Sequence, residues 1–208
     1  MKIVIIGSGN VAYALGKKLK EAGHQVIFAV RDIQSPKALK LKEQLPDATL
    51  LPVSSQALAA EVLILTTPAE AVLSLIPQLG EPGDRVMIDA TNAVRQKPEP
   101  YPTAYHAIQA ETGWKHLVKC FNTTGFENML NPNYDGQRLD LFFAGDDPEA
   151  KQIARDLATD IGFDQCYDFG GSDKVELLEK WALCWINLAI FQGYGRDIGI
   201  KVLKRSGQ

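Results

Sequence analysis

The stretch Lys2-Ile3-Val4-Ile5-Ile6-Gly7-Ser8-Gly9-Asn10-Val11-Ala12 decides the fold. Its first five residues are β-branched and apolar after a single lysine, the pattern of a strand buried on both faces. A glycine turn interrupts the run. From Asn10 to Ala22 the apolar positions Val11, Leu15, Leu19 and Ala22 then share one helical face, and Gly23 stops the helix. Strand, tight turn and helix form the context in which Gly-x-Gly-x-x-Gly/Ala carries specific physics. Gly7 permits the turn, Gly9 lets the backbone approach a pyrophosphate, and Ala12 lets helix and strand pack closely. Ser8, Asn10 and Val11 complete a cradle whose free N–H groups face an anion. The stretch predicts a dinucleotide site in an α/β fold. That fold is a doubly wound, mostly parallel Rossmann sheet with helices on both faces.

The rest of the chain fits this frame. Strands are predicted at 25–30, 48–51, 62–66, 85–89, 117–121, 139–144 and 163–167. Helices are predicted at 36–44, 54–59 (capped by Ser54 or Ser55), 69–76 (ended by Pro77) and 103–112. Asp147 and Pro148 open another helix, which Gly162 ends. Gly170-Gly171 marks a boundary. Beyond it Asp173 and Glu176, at capping-box spacing, open a helix running to about Phe191. Residues 1–168 thus read as the NAD(P)-binding domain, and 169–208 as a small C-terminal helical segment. The segment is apolar nearly all round after Trp181, which predicts cover by other elements or by a second subunit.

The end of the second strand selects the dinucleotide. An NAD site usually places a carboxylate there for the ribose 2′-hydroxyl. Here Val30 is followed by Arg31, a guanidinium suited to a 2′-phosphate, with Ser35 and Lys37 on the same loop. The residues favour NADP(H), with Asp32 as the alternative acid for NAD. Ligands of such sheets bind beyond the carboxyl ends of the strands. Three further tips there are polar: Thr66-Thr67-Pro68, Asp89-Ala90-Thr91-Asn92, and Cys120-Phe121-Asn122-Thr123-Thr124-Gly125. Their hydroxyls and amides, Asn92 and Asn122 among them, suit a nicotinamide carboxamide and a flat ring.

Composition closes other routes. The 208 residues carry 22 basic and 25 acidic side chains, a net charge of −3 that lacks the basic surplus of a nucleic-acid or anionic-membrane binder. Cys120, Cys166 and Cys184 are odd in number and far apart, which suits a reducing cytoplasm rather than a disulfide framework. The run from Ile3 to Ile6 is too short for a signal peptide, and Trp181–Phe191 falls short of the ~18–20 residues of a membrane span. His24, His106 and His116 lack metal-ligand spacing and read as surface or satisfied histidines. Glu179-Lys180 reads as a solvated helix face. No catalytic acid–base residue and no metal site is assigned. A cofactor fingerprint without acid–base machinery points to hydride transfer between two redox rings, where positioning carries the rate.

Several segments together resemble the NADPH-dependent reductases of the 8-hydroxy-5-deazaflavin coenzyme F420. They are Gly7–Ala12, Arg31, Leu65-Thr66-Thr67-Pro68, Val118–Thr123 and Phe143–Asp147. The most discriminating is the C-terminal set: Asn187, then Phe191–Gly195, then Ile198-Gly199-Ile200-Lys201. The resemblance implies NADP bound by the Gly7–Ala12 turn and by Arg31. It places the nicotinamide near Thr67-Pro68 and the Asn122–Gly125 loop, beneath a second ring, deazaflavin or flavin-like. It also implies a homodimer. The archaeal members carry His-Thr where this chain has Phe121-Asn122. Two other readings stay open: a reductase of a small imine or hydroxy acid, and a non-catalytic NADP(H)-binding redox sensor. The first of these usually needs ~100 or more additional helical residues for its substrate pocket, more than follow the sheet here.

Overall fold

The computed structural model describes residues 1–54 and 57–205. Six strands form one sheet in the order β3-β2-β1-β4-β5-β6, all parallel. They are β1 (Lys2–Ile6), β2 (Gln25–Val30), β3 (Thr49–Pro52), β4 (Val62–Leu65), β5 (Val86–Asp89) and β6 (Leu117–Lys119). This is the doubly wound order, whose reversal between β1 and β4 opens a crevice at the carboxyl ends of the strands.

The alternation inside β1 shows why helices must cover both faces. Ile3 and Ile5 enter one core with Leu15 and Leu19 of α1 (Asn10–Glu21), Leu41 of α2 (Pro36–Gln44) and Leu157 of α6 (Pro148–Asp160). Val4 and Ile6 enter the other, with Leu75 of α3 (Val72–Leu79), Ile108 of α4 (Ala104–Thr112) and Leu178 of α7 (Val175–Ile186). Each fully buried aliphatic chain of this kind contributes about 1.5–3 kcal/mol. A charge at any position from Ile3 to Ile6 would therefore be destabilising on either face.

α1 packs close to the sheet through two small residues. Ala12 is buried, and a Cβ on Gly16 would stand 2.2 Å from Phe28 Cζ of β2. Gly16 thus shares the role that the sequence assigned to Ala12 alone.

Several predicted elements shift. The helix at 69–76 is a 3-10 turn, Ala69–Ala71, followed by α3, which runs through Pro77 to Leu79. Pro77 is exposed on the solvent side, so its missing N–H costs no buried bond. Ser54 accepts the Ala57 N–H at 3.2 Å, as a cap would; Ser55 lies outside the described residues. β6 stops at Lys119, and Phe121 adopts a left-handed φ of 60°. The strands at 139–144 and 163–167 shorten to β9 (Leu141–Phe143) and β10 (Cys166–Asp168), which pair only with each other. One antiparallel bridge, Lys119 to Ala144, ties β9 to β6. The short helix α5 (Phe126–Leu130) and the β7–β8 hairpin (Asn133–Tyr134 with Gln137–Arg138) were not anticipated.

The Asp173–Glu176 capping box does not form. Asp173 pairs with Lys174, and the helix begins as a 3-10 turn, Ser172–Lys174, ahead of α7. α7 ends in a π-turn, Asn187–Phe191. The chain then folds back as a strap. Ile198 O accepts from Trp185 Nε1 at 2.8 Å and from Asn128 Nδ2 at 2.7 Å. Lys201 Nζ reaches Asp164 at 2.7 Å and Asp140 at 3.3 Å, while Val202 N–H donates to Asp140 at 2.7 Å. The chain itself leaves Leu183, Leu188, Ile190 and Phe191 uncovered, with Phe191 75% exposed. Among the described residues no helix is long and apolar enough to cross a membrane.

Candidate functional site

The glycine turn sits at the carboxyl end of β1. Gly7 takes φ +133°, and a Cβ there would lie 2.5 Å from Thr66 Oγ1. Thr66 is pinned in that position because both its N–H and its hydroxyl donate to Ile6 O, at 3.0 and 2.9 Å. The threonine therefore buttresses the turn from behind. Gly9 is the N-cap of α1, makes no side-chain cap and has open space where a Cβ would stand. No acidic residue lies in the first turn of α1. The backbone N–H groups of Asn10, Val11 and Ala12 have no intrahelical acceptor there, and the helix dipole is positive at that end. Ser8 lies between the glycines, half-buried. The chemistry offered is that of an anion cradle.

Arg31 follows β2, exposed and without a hydrogen-bond or ion-pair partner among the described residues. Its neighbours are otherwise engaged. Asp32 accepts the Gln34 N–H at 2.8 Å, so one carboxylate oxygen closes its own loop. The Ser35 hydroxyl donates to Asp32 O at 2.8 Å and accepts the Ala38 N–H at 3.4 Å as the N-cap of α2. Ser35 thus shapes the loop and leaves Arg31 open beside it, while Lys37, also exposed, stands in the first turn of α2.

The structure gathers the other three tips along the same edge. At the end of β4, Thr67 Oγ1 is buried without a partner, beside the exposed Pro68. After β5, Thr91 Oγ1 is likewise buried and unpaired. Asn92 and Asn122 meet directly: Asn92 Nδ2 donates to Asn122 O at 2.7 Å, and Asn122 Nδ2 donates to Asn92 Oδ1 at 3.0 Å. Asn122 also reaches Leu178 O of α7 at 3.4 Å, and its own Oδ1 has no donor. Buried polar atoms without partners are uncommon, and three of them here lie on consecutive strand tips. Gly125 is placed differently: a Cβ would meet Trp185 at 2.6 Å and Glu127 at 2.7 Å, so α7 already covers it.

Beneath these tips lies a cluster that sequence reading missed. Lys119, the last residue of β6, is 0% exposed, and its ammonium donates to Asp89 at 2.9 Å and to Glu179 at 2.5 Å. Glu179 is therefore buried in α7, not part of a solvated face; Lys180 beside it is exposed. Burial alone would lower the Lys119 pKa, but the two carboxylates outweigh it and raise the value, keeping the ammonium charged. Each carboxylate also accepts a loop N–H: Asp89 from Thr91 and Glu179 from Ala93, both at 2.9 Å. A lysine at the end of a strand, with Asp at the end of the next, was the signal available.

Each histidine stands beside a polar side chain: His24 contacts Asp160 at 2.9 Å, His106 contacts Thr103 at 2.8 Å, and His116 lies 3.2 Å from Asp147. Among the described residues no cluster of three metal-ligating side chains forms.

Comparison with known proteins agrees with this geometry. The profile of the family described as NADP oxidoreductase, coenzyme F420-dependent, matches residues 2–93. The F420-dependent NADP reductase of Methanothermobacter marburgensis is 28% identical over 228 residues, covering 97% of this chain and 98% of its own. That of Methanocaldococcus jannaschii is 26% identical over 226 residues, covering 98% and 100%. A solved structure from Arthrobacter sp. FB24 shares the fold over 98% of this chain, with TM-score 0.84 and 22% identity. A Streptomyces aurantiacus imine reductase shares it at TM-score 0.61 and 18% identity, with 62% of that chain covered. The chain is thus similar over nearly its full length to F420-dependent NADP reductases, and its first 93 residues match the profile of the coenzyme F420-dependent NADP oxidoreductases.

Proposed function

We propose that the protein is an NADP(H)-dependent oxidoreductase that passes a hydride between the nicotinamide and a flat redox ring, deazaflavin- or flavin-like. The carrying observation is the turn at Gly7, buttressed by Thr66, opening onto the uncapped N-terminus of α1 with Arg31 exposed at the next strand end. Full-length relatives named F420-dependent NADP reductases support the same reading.

The chain's residues fit the dinucleotide. The backbone at Gly7, Ser8, Gly9, Asn10, Val11 and Ala12 would hold the pyrophosphate, and Arg31 the 2′-phosphate. Ser35 would act by shaping the Arg31 loop. The unpaired atoms of Thr67, Thr91 and Asn122 offer hydrogen-bond partners to a carboxamide. Thr66, Pro68 and Asn92 would set the wall on which the ring lies, and Gly125, covered by Trp185, would act only by shaping the loop that carries Asn122. When bound, NADPH supplies the hydride; the protein's part is to hold two rings face to face and keep water out. No side chain needs to move a proton in that step, consistent with the absence of an assigned catalytic residue.

We further propose that residues 169–208 form a helical segment beside the 1–168 dinucleotide domain. The uncovered Leu183, Leu188, Ile190 and Phe191 would then meet a second copy to make a homodimer. Three free thiols suit a reducing cytoplasm as the location.

The test is fluorescence titration with NADPH and NADH on the native protein and on Arg31→Ala, followed by turnover against deazaflavin, FMN, FAD and small imines. Native protein should prefer NADPH. Arg31→Ala should weaken NADPH roughly 10- to 100-fold, as expected for one charge-assisted phosphate contact, and leave NADH unchanged. Equal native affinities would refute NADP selectivity. Tight NADPH binding with no turnover on any acceptor would favour a sensor, and turnover confined to imines would favour an imine reductase.

A further inference from the structure

Asp89, Lys119 and Glu179 are the most deeply buried charged group of the chain's cofactor edge, and hydride transfer as described makes no use of them. Taking ions out of water costs several kcal/mol each even after relaxation. Apolar residues would pack here at lower cost, so a triad on this edge calls for a reason. Two features supply one. First, the triad grips the loop after β5 at two points, through Thr91 N–H on Asp89 and Ala93 N–H on Glu179. Asn92, held between them, in turn fixes Asn122. Second, two carboxylates face one ammonium. Among the described residues no other cation pairs with Asp89 or Glu179. One negative charge is thus left uncompensated inside the protein, at the carboxyl ends of β5 and β6. These strands belong to the half of a doubly wound sheet that receives the nicotinamide end of a dinucleotide.

The nicotinamide ring is neutral when reduced and cationic when oxidised. We propose that the Asp89–Lys119–Glu179 triad is a redox-biasing device: its surplus charge favours the cationic, oxidised ring over the neutral, reduced one. The proposal rests on the NADP(H) reading above. Asp89 and Glu179 act here as positioning and electrostatic residues, through the loop and the field, with no contact to the reacting atoms required. The bias favours release of the hydride from NADPH to the acceptor. A full charge acting across a few side chains at an effective dielectric of about 20 corresponds to roughly a three- to tenfold preference.

The experiment measures the dissociation constants of NADP⁺ and NADPH separately, by calorimetry, on the native protein, Glu179→Gln and Asp89→Asn. The two constants together also give the shift in midpoint potential of the bound couple. Native protein should bind NADP⁺ more tightly than NADPH. Either variant removes one negative charge and should lower that ratio roughly three- to tenfold, whatever happens to overall affinity. A structural role alone would weaken both forms equally; an unchanged ratio in a folded variant overturns the proposal. If neither variant folds, the native ratio decides, and tighter binding of NADPH than of NADP⁺ overturns it. Native protein that binds neither form refutes the NADP(H) reading itself, a result distinct from binding with the wrong ratio.

Discussion

Replacing Gly7 by alanine separates the contributions that make the phosphate turn. The first is conformational: an L-residue at φ +133° lies in a region essentially reserved for glycine, at a cost of about 1–3 kcal/mol. The second is steric. The new Cβ would meet Thr66 Oγ1 at 2.5 Å and the Thr66 carbonyl carbon and oxygen at 3.3 Å, an overlap costing about 1–3 kcal/mol. Thr66 cannot swing aside freely, because its hydroxyl bond to Ile6 O at 2.9 Å is itself worth about 1 kcal/mol. Gly7→Ala should therefore destabilise the protein by about 2–6 kcal/mol and lower Tm by roughly 4–24 °C. That is survivable for a domain whose total stability is about 5–15 kcal/mol. Pretruncation of the buttress isolates the steric part. In a Thr66→Ala background the Oγ1 overlap is gone, while the backbone strain and the 3.3 Å contacts with the carbonyl of residue 66 remain. The cost of Gly7→Ala should then fall by about 1–2 kcal/mol. Urea unfolding of the four proteins measures this coupling, and NADPH titration of each measures the turn's grip on phosphate. A Gly7→Ala cost that is the same in both backgrounds would refute the buttress argument. A cost under about 0.5 kcal/mol with NADPH affinity intact would refute the assignment of the turn.

Gly16→Ala gains up to ~1 kcal/mol in helix propensity but drives a Cβ to 2.2 Å from the Phe28 ring, so the net effect should be about 1–2 kcal/mol destabilising in urea unfolding. A Phe28→Leu background should turn the same change neutral or stabilising. The C-terminal strap should be sensitive to pH at both ends. The Lys201 hydrogen bond lowers the Asp164 pKa below 3.8, so this contribution is present above that value and is lost as pH falls through the folded pKa. The Asp164 hydrogen bond raises the Lys201 pKa above 10.5, so its contribution is present below that value and is lost as pH rises through the folded pKa. Hydrogen exchange of residues 198–202 should show protection falling in both windows, and Lys201→Met should flatten the profile. The proposed homodimer should dissociate on Phe191→Glu in sedimentation velocity, without loss of Tm beyond that of dissociation; an unchanged sedimentation coefficient would remove the Asn187–Phe191 turn from the interface. In native protein too dilute to self-associate, a thiol reagent at pH 8 should label the exposed Cys184 first. Burial raises the Cys120 thiol well above its ordinary value and pushes that of Cys166 up to about 11.

Much of the architecture was legible because it is written in short-range patterns. The β-branched run of β1, the helical spacing of α1 and the Pro148 start of α6 each combine local propensity with burial period, and the structure places them where those signals point. The Asp147 cap was read correctly: it accepts the Ala150 N–H at 2.7 Å. Pro77 misled because a proline breaks a helix only where its N–H is needed, and the exposed side of α3 did not need it. The capping box at Asp173 failed because a lysine next door offered the carboxylate another partner.

By itself the sequence determined the alternation of strands and helices that makes a doubly wound sheet, the glycine turn, and the arginine that follows β2. Each strand, turn and helix is written in residues within about a dozen positions of one another. The tertiary structure alone decided what Glu179 is. Its sequence neighbourhood is that of a surface helix, and only the docking of α7 against β6 brings it within 2.5 Å of Lys119, 60 residues away. The same holds for the pairing of Asn92 with Asn122 and for Gly125, closed beneath Trp185. Ion pairs and amide pairs across distant strands leave no periodicity to read, since their register is set by how two packed layers meet. The Asp89–Lys119–Glu179 cluster is therefore a property of the fold, while the glycine turn is a property of the sequence.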